Sequence, residues 1–187
     1  MKTDDQLLEA YAAGDESAFA ELVEKHLQSV YAFIYRLVGK KEEAEDIAQE
    51  TFVKAWKNIK RFKKGMNLKT WLFAIARNSS IDYLRKRKAL MFSDLSRDDD
   101  SEEYEHGIRD TAPTAEMLFD AKESTIRIEA ALQKMPLMYR EIIILHYREE
   151  MTLDEAAHML NIPLNTAKSR DRRALQALRK HLGPEKP

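Results

Sequence analysis

Apolar residues recur at intervals of three and four positions along most of this chain, a period that predicts helices and not strands. The first long run extends from Phe19 to Val38 and stops before Gly39, a residue type that commonly closes helices. Two further runs extend from about Lys41 to Ile59 and from about Asn67 to Lys88. Three helices with short connections predict one bundle-like domain.

The second predicted helix has an apolar stripe and a polar face. The stripe is predicted to point inward and consists of Ala44, Ile47, Ala48, Phe52, Ala55, Trp56 and Ile59. Four residues at i, i+3, i+4 and i+7 share an outer face. They are Asp46, Gln49, Glu50 and Val53. This face could dock on a basic protein surface or could be solvated, and the spacing leaves both readings open.

Acidic and small polar residues replace the helical pattern in segment 91–113. Such a segment buries too little apolar area to offset its ordering entropy, so we expect a flexible linker. Helical patterns resume after it, first over 114–134 and then over a very apolar run from Leu137 to Tyr147.

The helix predicted from about Asn67 to Lys88, before this linker, also has an inward face. Its inward residues are predicted to be Leu68, Leu72, Ile75, Ala76 and Leu84.

A helix-turn-helix is predicted near the end of the chain. Thr152 and Glu155 fit a capping box, which predicts a short helix that ends at Leu160. Asn161-Ile162-Pro163 stops this helix, and a longer basic helix begins near Asn165 or Thr166. The fold class is therefore all-α, with two small helical domains. We expect an N-terminal helical bundle at 1–90, the acidic linker at 91–113 and a helix-turn-helix domain at 114–187.

Charge is distributed very unevenly along the chain, although the whole carries a formal net charge of −1. Residues 1–50 carry a net charge of −7, and residues 91–123 carry −8. Between them, residues 51–90 contain 12 Lys and Arg against one acid, a net charge of +11. Concentrated like charge destabilises a compact state, so this block indicates an anionic partner.

The helix-turn-helix and the basic block both point to nucleic acid. On the last helix, six residues occupy the part that would enter the major groove. They are Asn165, Thr166, Lys168, Ser169, Arg172 and Arg173. Arg and Lys suit guanine edges, and Asn and Ser suit adenine edges or phosphates. The alternative is a helical hairpin whose outer face happens to be basic.

Aromatic residues are set among the cations of the basic block: Trp56, Phe62, Trp71, Phe73 and Tyr83. Aromatic rings beside Lys and Arg suit unpaired bases, which stack on the rings while phosphates pair with the cations. The alternative is that Trp56, Trp71 and Phe73 are core residues at helical spacing. Core packing alone would leave the charge of the block without a role.

Composition argues against an enzyme and against membrane insertion. The chain has no cysteine, its five histidines are scattered, and it has no HExxH, P-loop or Gly-rich dinucleotide motif. We therefore predict no catalytic residues, no metal and no cofactor. The N-terminus lacks a secretory signal and no apolar run reaches the roughly 18 residues of a membrane span, which predicts a cytoplasmic protein.

Several motifs together resemble an extracytoplasmic-function sigma factor of bacterial RNA polymerase. The resemblance rests on Ala44–Phe52, Thr70–Asn78, Ile81–Lys86, Leu153–Ala157 and Asn165–Arg170, in this order. It implies that the chain has three kinds of partner: core RNA polymerase, promoter DNA in duplex and melted form, and an anti-sigma protein. It also implies that the acidic helix docks the polymerase clamp through Asp46, Gln49 and Glu50.

The same resemblance implies two promoter-binding sites. The third helix would melt and hold the minus-ten element, with Asn78 at a flipped base. The candidate minus-ten residues are Lys63, Lys64, Asn67, Asn78, Tyr83, Arg85 and Lys86. The helix-turn-helix would read the minus-thirty-five element. The chain departs from the family at Asn165, Ala167 and Asp171, where Gly, a larger apolar residue and an apolar or aromatic residue are common.

A helix-turn-helix regulator whose N-terminal helices sense a ligand or dimerise is the alternative to a sigma factor. The two hypotheses differ in their partners. A sigma factor binds core polymerase and supports specific initiation, whereas a regulator of this type binds duplex DNA alone as a dimer.

Overall fold

The structure is a computed structural model, and it describes residues 2–62, 65–94 and 116–182. Regular structure in these residues is helical, without strands. The chain divides into two compact units, Met1–Ser96 and Arg97–Pro187. The predicted all-α fold with two helical domains is confirmed. The limits predicted at residues 90 and 114 stay predictions.

The first unit is a four-helix arrangement in which α2 is central. Its helices are α1 (Asp4–Ala12), α2 (Ser17–Val38), α3 (Lys41–Asn58) and α4 (Leu68–Asp94), with a 3-10 turn at Ile59–Arg61. Helix α2 packs against α1, α3 and α4, and α3 packs against α4. The core contains Val30, Phe33, Ile34 and Phe73, each of them fully buried.

Local capping explains why α1 and α2 begin and end where they do. Thr3 and Gln6 form a capping box: the Thr3 Oγ1 accepts from the Gln6 N–H at 3.3 Å, and the Gln6 Oε1 accepts from the Thr3 N–H at 2.9 Å. At the start of α2 the Asp15 carboxylate accepts from both the hydroxyl and the N–H of Ser17, which lowers the pKa of Asp15. Gly39 ends α2 in the left-handed conformation, with φ at 78°.

Helix α4 is longer than predicted. It continues past Lys88 to Asp94 and so takes in the first four residues of the predicted linker 91–113. Ala89, Leu90 and Met91 are good helix formers, which favours this extension over a break at the run of cations before them. The remainder of the linker, 95–113, lies outside the described residues.

The second unit is also helical. It contains α5 (Glu116–Gln133), α6 (Leu137–Ile143), α7 (Leu153–Leu160) and α8 (Leu164–Leu182). The apolar helix predicted from Leu137 to Tyr147 forms as α6 followed directly by a π-helical turn at Ile144–Arg148. In this turn the Glu149 N–H donates to the Ile144 carbonyl at 3.0 Å, five residues back.

A half-buried arginine bridges the junction between α5 and α6. The Arg140 guanidinium donates to the side-chain and backbone oxygens of Gln133 at 2.9 and 2.8 Å, and to the Met135 carbonyl at 3.2 Å. Burial lowers the pKa of Arg140 to about 10. Its charge is therefore held among the carbonyls that α5 leaves unpaired at its C-terminal end.

Helices α7 and α8 form the predicted helix-turn-helix. Thr152 and Glu155 make the expected capping box, with the Glu155 N–H donating to the Thr152 Oγ1 at 3.2 Å. Asn161 ends α7 in the left-handed conformation, with φ at 53°. Helix α8 packs on α5, α6 and α7, so it is the central helix of this unit. It begins at Leu164, slightly before the predicted start.

Candidate functional site

An exposed polar face runs along α3. The side chains that the sequence places on it are all exposed: Asp46, Gln49, Glu50 and Val53. Ile47, Ala48 and Phe52 lie on the opposite, buried side of the helix. Acidic, amide and apolar groups therefore stand together on an accessible surface.

Trp56 also belongs to this face, and its predicted inward orientation is wrong. Its side chain is 54% exposed, whereas Ala55 is fully buried. Trp56 follows Val53 at i+3 and Gln49 at i+7, and these spacings put the three side chains on one face. We call Asp46, Gln49, Glu50, Val53 and Trp56 together the α3 surface.

Lys54 connects this surface to α4. Its Nζ lies 2.8 Å from the Oε1 of Glu50 and donates to the Ser79 Oγ at 2.9 Å. Ser79 is 3% exposed and directly follows Asn78 in the chain. Sequence reasoning missed this link, since it joins positions 25 residues apart and neither residue type stands out in its own helix.

A polar cavity of about 340 Å³ lies between α3 and α4. Asp46 and Glu50 line it from α3, and Tyr83 and Lys86 line it from α4. Residues predicted to bind polymerase and residues predicted to bind DNA thus share one cavity. Burial, followed by the interaction with Glu43, raises the pKa of Tyr83. The Tyr83 hydroxyl is therefore a neutral donor aimed at an acidic partner.

The predicted minus-ten residues are spread along α4. Asn67 lies at its N-terminal end, where the side-chain oxygen accepts from the Thr70 N–H at 3.1 Å. Asn78 is exposed in the middle of the helix. Asn67 and Asn78 are about 16 Å apart along the helix axis, so they suit an extended ligand better than a compact one. Lys63 and Lys64 lie outside the described residues.

The predicted minus-ten residues in the C-terminal half of α4 lie on two different faces of the helix. Arg85 follows Asn78 at i+7 and so shares its face, and its guanidinium donates to Asp82 at 3.0 Å. Arg85 and Lys86 are exposed, and Tyr83 is half-buried in the cavity. Asn67, Asn78 and Arg85 therefore form one line along α4, and Tyr83 does not belong to it.

The aromatic residues of the basic block have different environments. Phe73 is fully buried, with its ring 4.9 Å from that of Phe33. Trp71 is half-buried, with its ring 5.2 Å from that of Phe62. The core interpretation is therefore confirmed for Phe73 and contradicted for Trp56.

Helix α8 presents most of its predicted DNA-contacting residues to solvent. The exposed members are Asn165, Lys168, Arg172 and Arg173. Thr166 and Ser169 are half-buried, and the Ser169 hydroxyl donates to the Thr166 carbonyl at 2.9 Å. Since that proton is used inside the helix, Ser169 offers mainly an acceptor to a ligand.

The structure accounts for two departures from the family pattern. Ala167 is fully buried, so its small size affects packing and not the DNA-facing surface. Asp171 is half-buried and accepts from the Tyr147 hydroxyl at 3.4 Å. Burial, with a further contribution from Asp171, raises the pKa of Tyr147. The Asp171 carboxylate is thus engaged within the unit.

The described ranges contain neither a metal-binding cluster nor a membrane-spanning helix. No three acidic or histidine side chains there are grouped so that they could hold a metal ion. No described helix combines the length and the apolar character that crossing a bilayer requires.

Comparison with known families identifies both units. The family described as Sigma-70 region 2 matches residues 22–90, which include all of α3 and most of α4. The family described as Sigma-70, region 4 matches residues 131–180, which include the helix-turn-helix. Both units therefore match sigma-70 regions, in chain order.

Individual relatives extend the similarity over nearly the whole chain. The chain is 36% identical to the ECF RNA polymerase sigma factor SigW of Bacillus subtilis, over 90% of its own length and 91% of the relative's. It is 33% identical to the RNA polymerase sigma-H factor of Pseudomonas aeruginosa, over 98% and 96%.

Solved structures show the same fold. Bartonella quintana RpoE, determined in complex with the anti-sigma factor NepR, gives a TM-score of 0.69 at 28% identity, covering 88% of this chain and 96% of that one. CnrH, determined in complex with the cytosolic domain of CnrY, gives 0.65 at 26% identity, covering 94% of each chain.

A region 2 bundle and a region 4 helix-turn-helix define a DNA-binding transcription initiation factor. The chain belongs to the extracytoplasmic-function (ECF) family of RNA polymerase sigma factors, and it serves promoter recognition and transcription initiation. The match to both regions favours this function over that of an ordinary helix-turn-helix regulator.

Proposed function

We propose that the α3 surface is where this sigma factor docks on core RNA polymerase. The observation that carries the proposal is the exposure of Val53 and Trp56 beside the acids Asp46 and Glu50. Apolar anchors bordered by charge are typical of protein interfaces, and aromatic side chains often contribute most of the binding energy. The partner surface is expected to be basic, with an apolar recess for the indole.

We propose that α4 and the basic segment before it bind and melt the minus-ten element. Asn67, Asn78 and Arg85 form a line about 27 Å long, which corresponds to several nucleotides of an extended strand. Asn78 would hold a flipped base through its amide, since an amide can pair with a base edge. Flipping costs a few kcal/mol of unstacking, which polar contacts on a basic surface offset.

The N-terminal half of α8 is proposed to read the minus-thirty-five element in the major groove. Arg172 and Arg173 are exposed and have the reach and donor geometry for guanine edges or phosphates. Lys168 and Asn165 lie closer to the helix N-terminus, where recognition helices usually contact bases.

An anti-sigma protein is a further proposed partner, because both solved structures cited above are complexes of this kind. Such a protein would inhibit the factor by covering the α3 surface or the DNA-binding residues of α4 and α8. We also propose that the chain has no catalytic activity of its own and works in the cytoplasm, where the polymerase and the promoters are located.

Reconstituted transcription tests this function. The purified chain is combined with core polymerase and a library of promoter fragments, and the transcripts are sequenced. Initiation at a defined set of promoters that share minus-ten and minus-thirty-five sequences is expected. A chain that binds duplex DNA alone as a dimer, and leaves core polymerase inactive at every promoter, would instead be a helix-turn-helix regulator.

A further inference from the structure

Lys54 contacts two residues that belong to different parts of the proposed machinery. Its ammonium group pairs with Glu50, on the α3 surface, and donates to Ser79, on α4. Ser79 is adjacent to Asn78, the proposed base-holding residue. The proposed polymerase contact and the proposed DNA contact are therefore joined through one side chain.

The hydrogen bond between Lys54 and Ser79 lies at the junction of α3 and α4. The Ser79 residue is 3% exposed, and Ser79 and Lys54 both line the polar cavity between α3 and α4. Lys54 supplies a charge-assisted donor at 2.9 Å, and such bonds are stronger and shorter than those between neutral groups. The contact joins α3 to the turn of α4 that contains residues 78 and 79.

The Glu50 side of the contact is more accessible. The side chains of Lys54 and Glu50 are 43% and 54% exposed, so their ion pair is screened and weak. A cationic group on the polymerase can therefore take over Glu50 at little cost. Lys54 would keep its bond to Ser79 after docking, because Ser79 is 3% exposed and belongs to α4, outside the α3 surface.

We propose that Lys54 is a positioning residue for promoter opening, which holds the turn containing Asn78 in place on α4 while the α3 surface engages polymerase. The inference rests on the proposed function of the α3 surface and of Asn78. It assigns to Lys54 no contact with polymerase or DNA.

The test compares Lys54→Met, Lys54→Arg, Ser79→Ala and the Lys54→Met/Ser79→Ala double variant in the full chain. Lys41→Met is the matched control, because Lys41 is an exposed lysine on the same helix. Two quantities are measured for each variant: the affinity for core polymerase, and the rate of open-complex formation from permanganate reactivity of the melted bases. Thermal unfolding by circular dichroism checks that each variant is folded.

Loss of the bond is expected to slow open-complex formation by about fivefold in Lys54→Met and in Ser79→Ala, a typical effect for one hydrogen bond. The double variant should be no slower than the slower single variant, because both changes remove the same contact. Lys54→Arg should restore the rate to within about twofold, and Lys41→Met should match the wild-type chain. Core affinity should change less than about twofold throughout.

Three results would overturn the inference: a Lys54→Met variant that opens promoters as fast as Lys41→Met, effects of Lys54→Met and Ser79→Ala that multiply, or a loss confined to core affinity. If Lys54→Met is unfolded, Ser79→Ala and Lys54→Arg still decide the question. Failure of the proposed function is distinguishable, since the unaltered chain would then not bind core polymerase or open promoters.

Discussion

The rings of Phe33 and Phe73 pack 4.9 Å apart at an interplanar angle of 48°, and both side chains are fully buried. This pair joins α2 to the N-terminal half of α4, the helix on which the proposed minus-ten residues lie. Trp71, two residues before Phe73, is only half-buried. The two aromatic residues should therefore contribute very differently to stability.

Phe73→Ala is expected to lower the free energy of unfolding by about 4 kcal/mol, because it leaves a cavity in a close-packed core. Trp71→Ala should cost about half as much or less. Chemical denaturation of the full chain measures both. The transition is followed by tryptophan fluorescence, which reports on the first unit because Trp56 and Trp71 both lie in it, and Trp56 remains as the probe in Trp71→Ala. Equal losses in the two variants would contradict the assigned burial.

Trp56→Ala should weaken binding to core polymerase by about tenfold or more while leaving stability nearly unchanged. The reason is that the indole is 54% exposed in the free chain and is proposed to become buried only in the complex. Affinity is measured by fluorescence anisotropy of labelled chain. Lys41→Met, at an exposed position of the same helix, serves as the control. Wild-type affinity in Trp56→Ala would exclude the indole from the interface.

Asn78→Ala should impair open-complex formation more than closed-complex binding. The amide is exposed on α4 and is proposed to contact a base only after the duplex has melted. Permanganate footprinting reports the first step and mobility shift at low temperature reports the second. Equal losses in both steps would count against a base-holding role for this residue.

Arg172→Ala and Arg173→Ala should reduce initiation at promoters that depend on the upstream element, by about tenfold for each guanine contact that is lost. Promoters with a strong minus-ten element alone should be less affected. Arg179→Ala is a matched control, since Arg179 is exposed near the C-terminal end of the same helix. An unchanged footprint over the minus-thirty-five element in both variants would show that these arginines do not read it.

Locally encoded features are those that the sequence predicts best. The capping box at Thr152 depends on residues three positions apart, and it forms as predicted. Gly39 and Asn161 end helices through their own tolerance of positive φ. These helix ends can be predicted without knowing which other elements pack against the helix.

Features that depend on contacts between helices are not predicted by local sequence patterns. The apolar stripe of α3 is wide enough to include Trp56, and periodicity cannot show that α2 and α4 leave that edge uncovered. The π-helical turn at Ile144–Arg148 depends on a carbonyl accepting from five residues ahead, which an apolar run does not signal. The contact from Lys54 to Ser79 joins two helices, so it emerges only from the folded unit.

Docking of core polymerase on the α3 surface is the central proposal for this protein. The decisive measurement is the equilibrium affinity of the Asp46→Lys/Glu50→Lys variant for core polymerase, set beside that of Asp5→Lys/Glu24→Lys. The second variant has the same net charge but alters exposed acids on α1 and α2. We predict that the first variant loses about a hundredfold in affinity and that the second keeps nearly wild-type affinity. Only in the first variant would the new lysines face the basic surface proposed for the polymerase. Equal affinities in the two variants would contradict docking through α3.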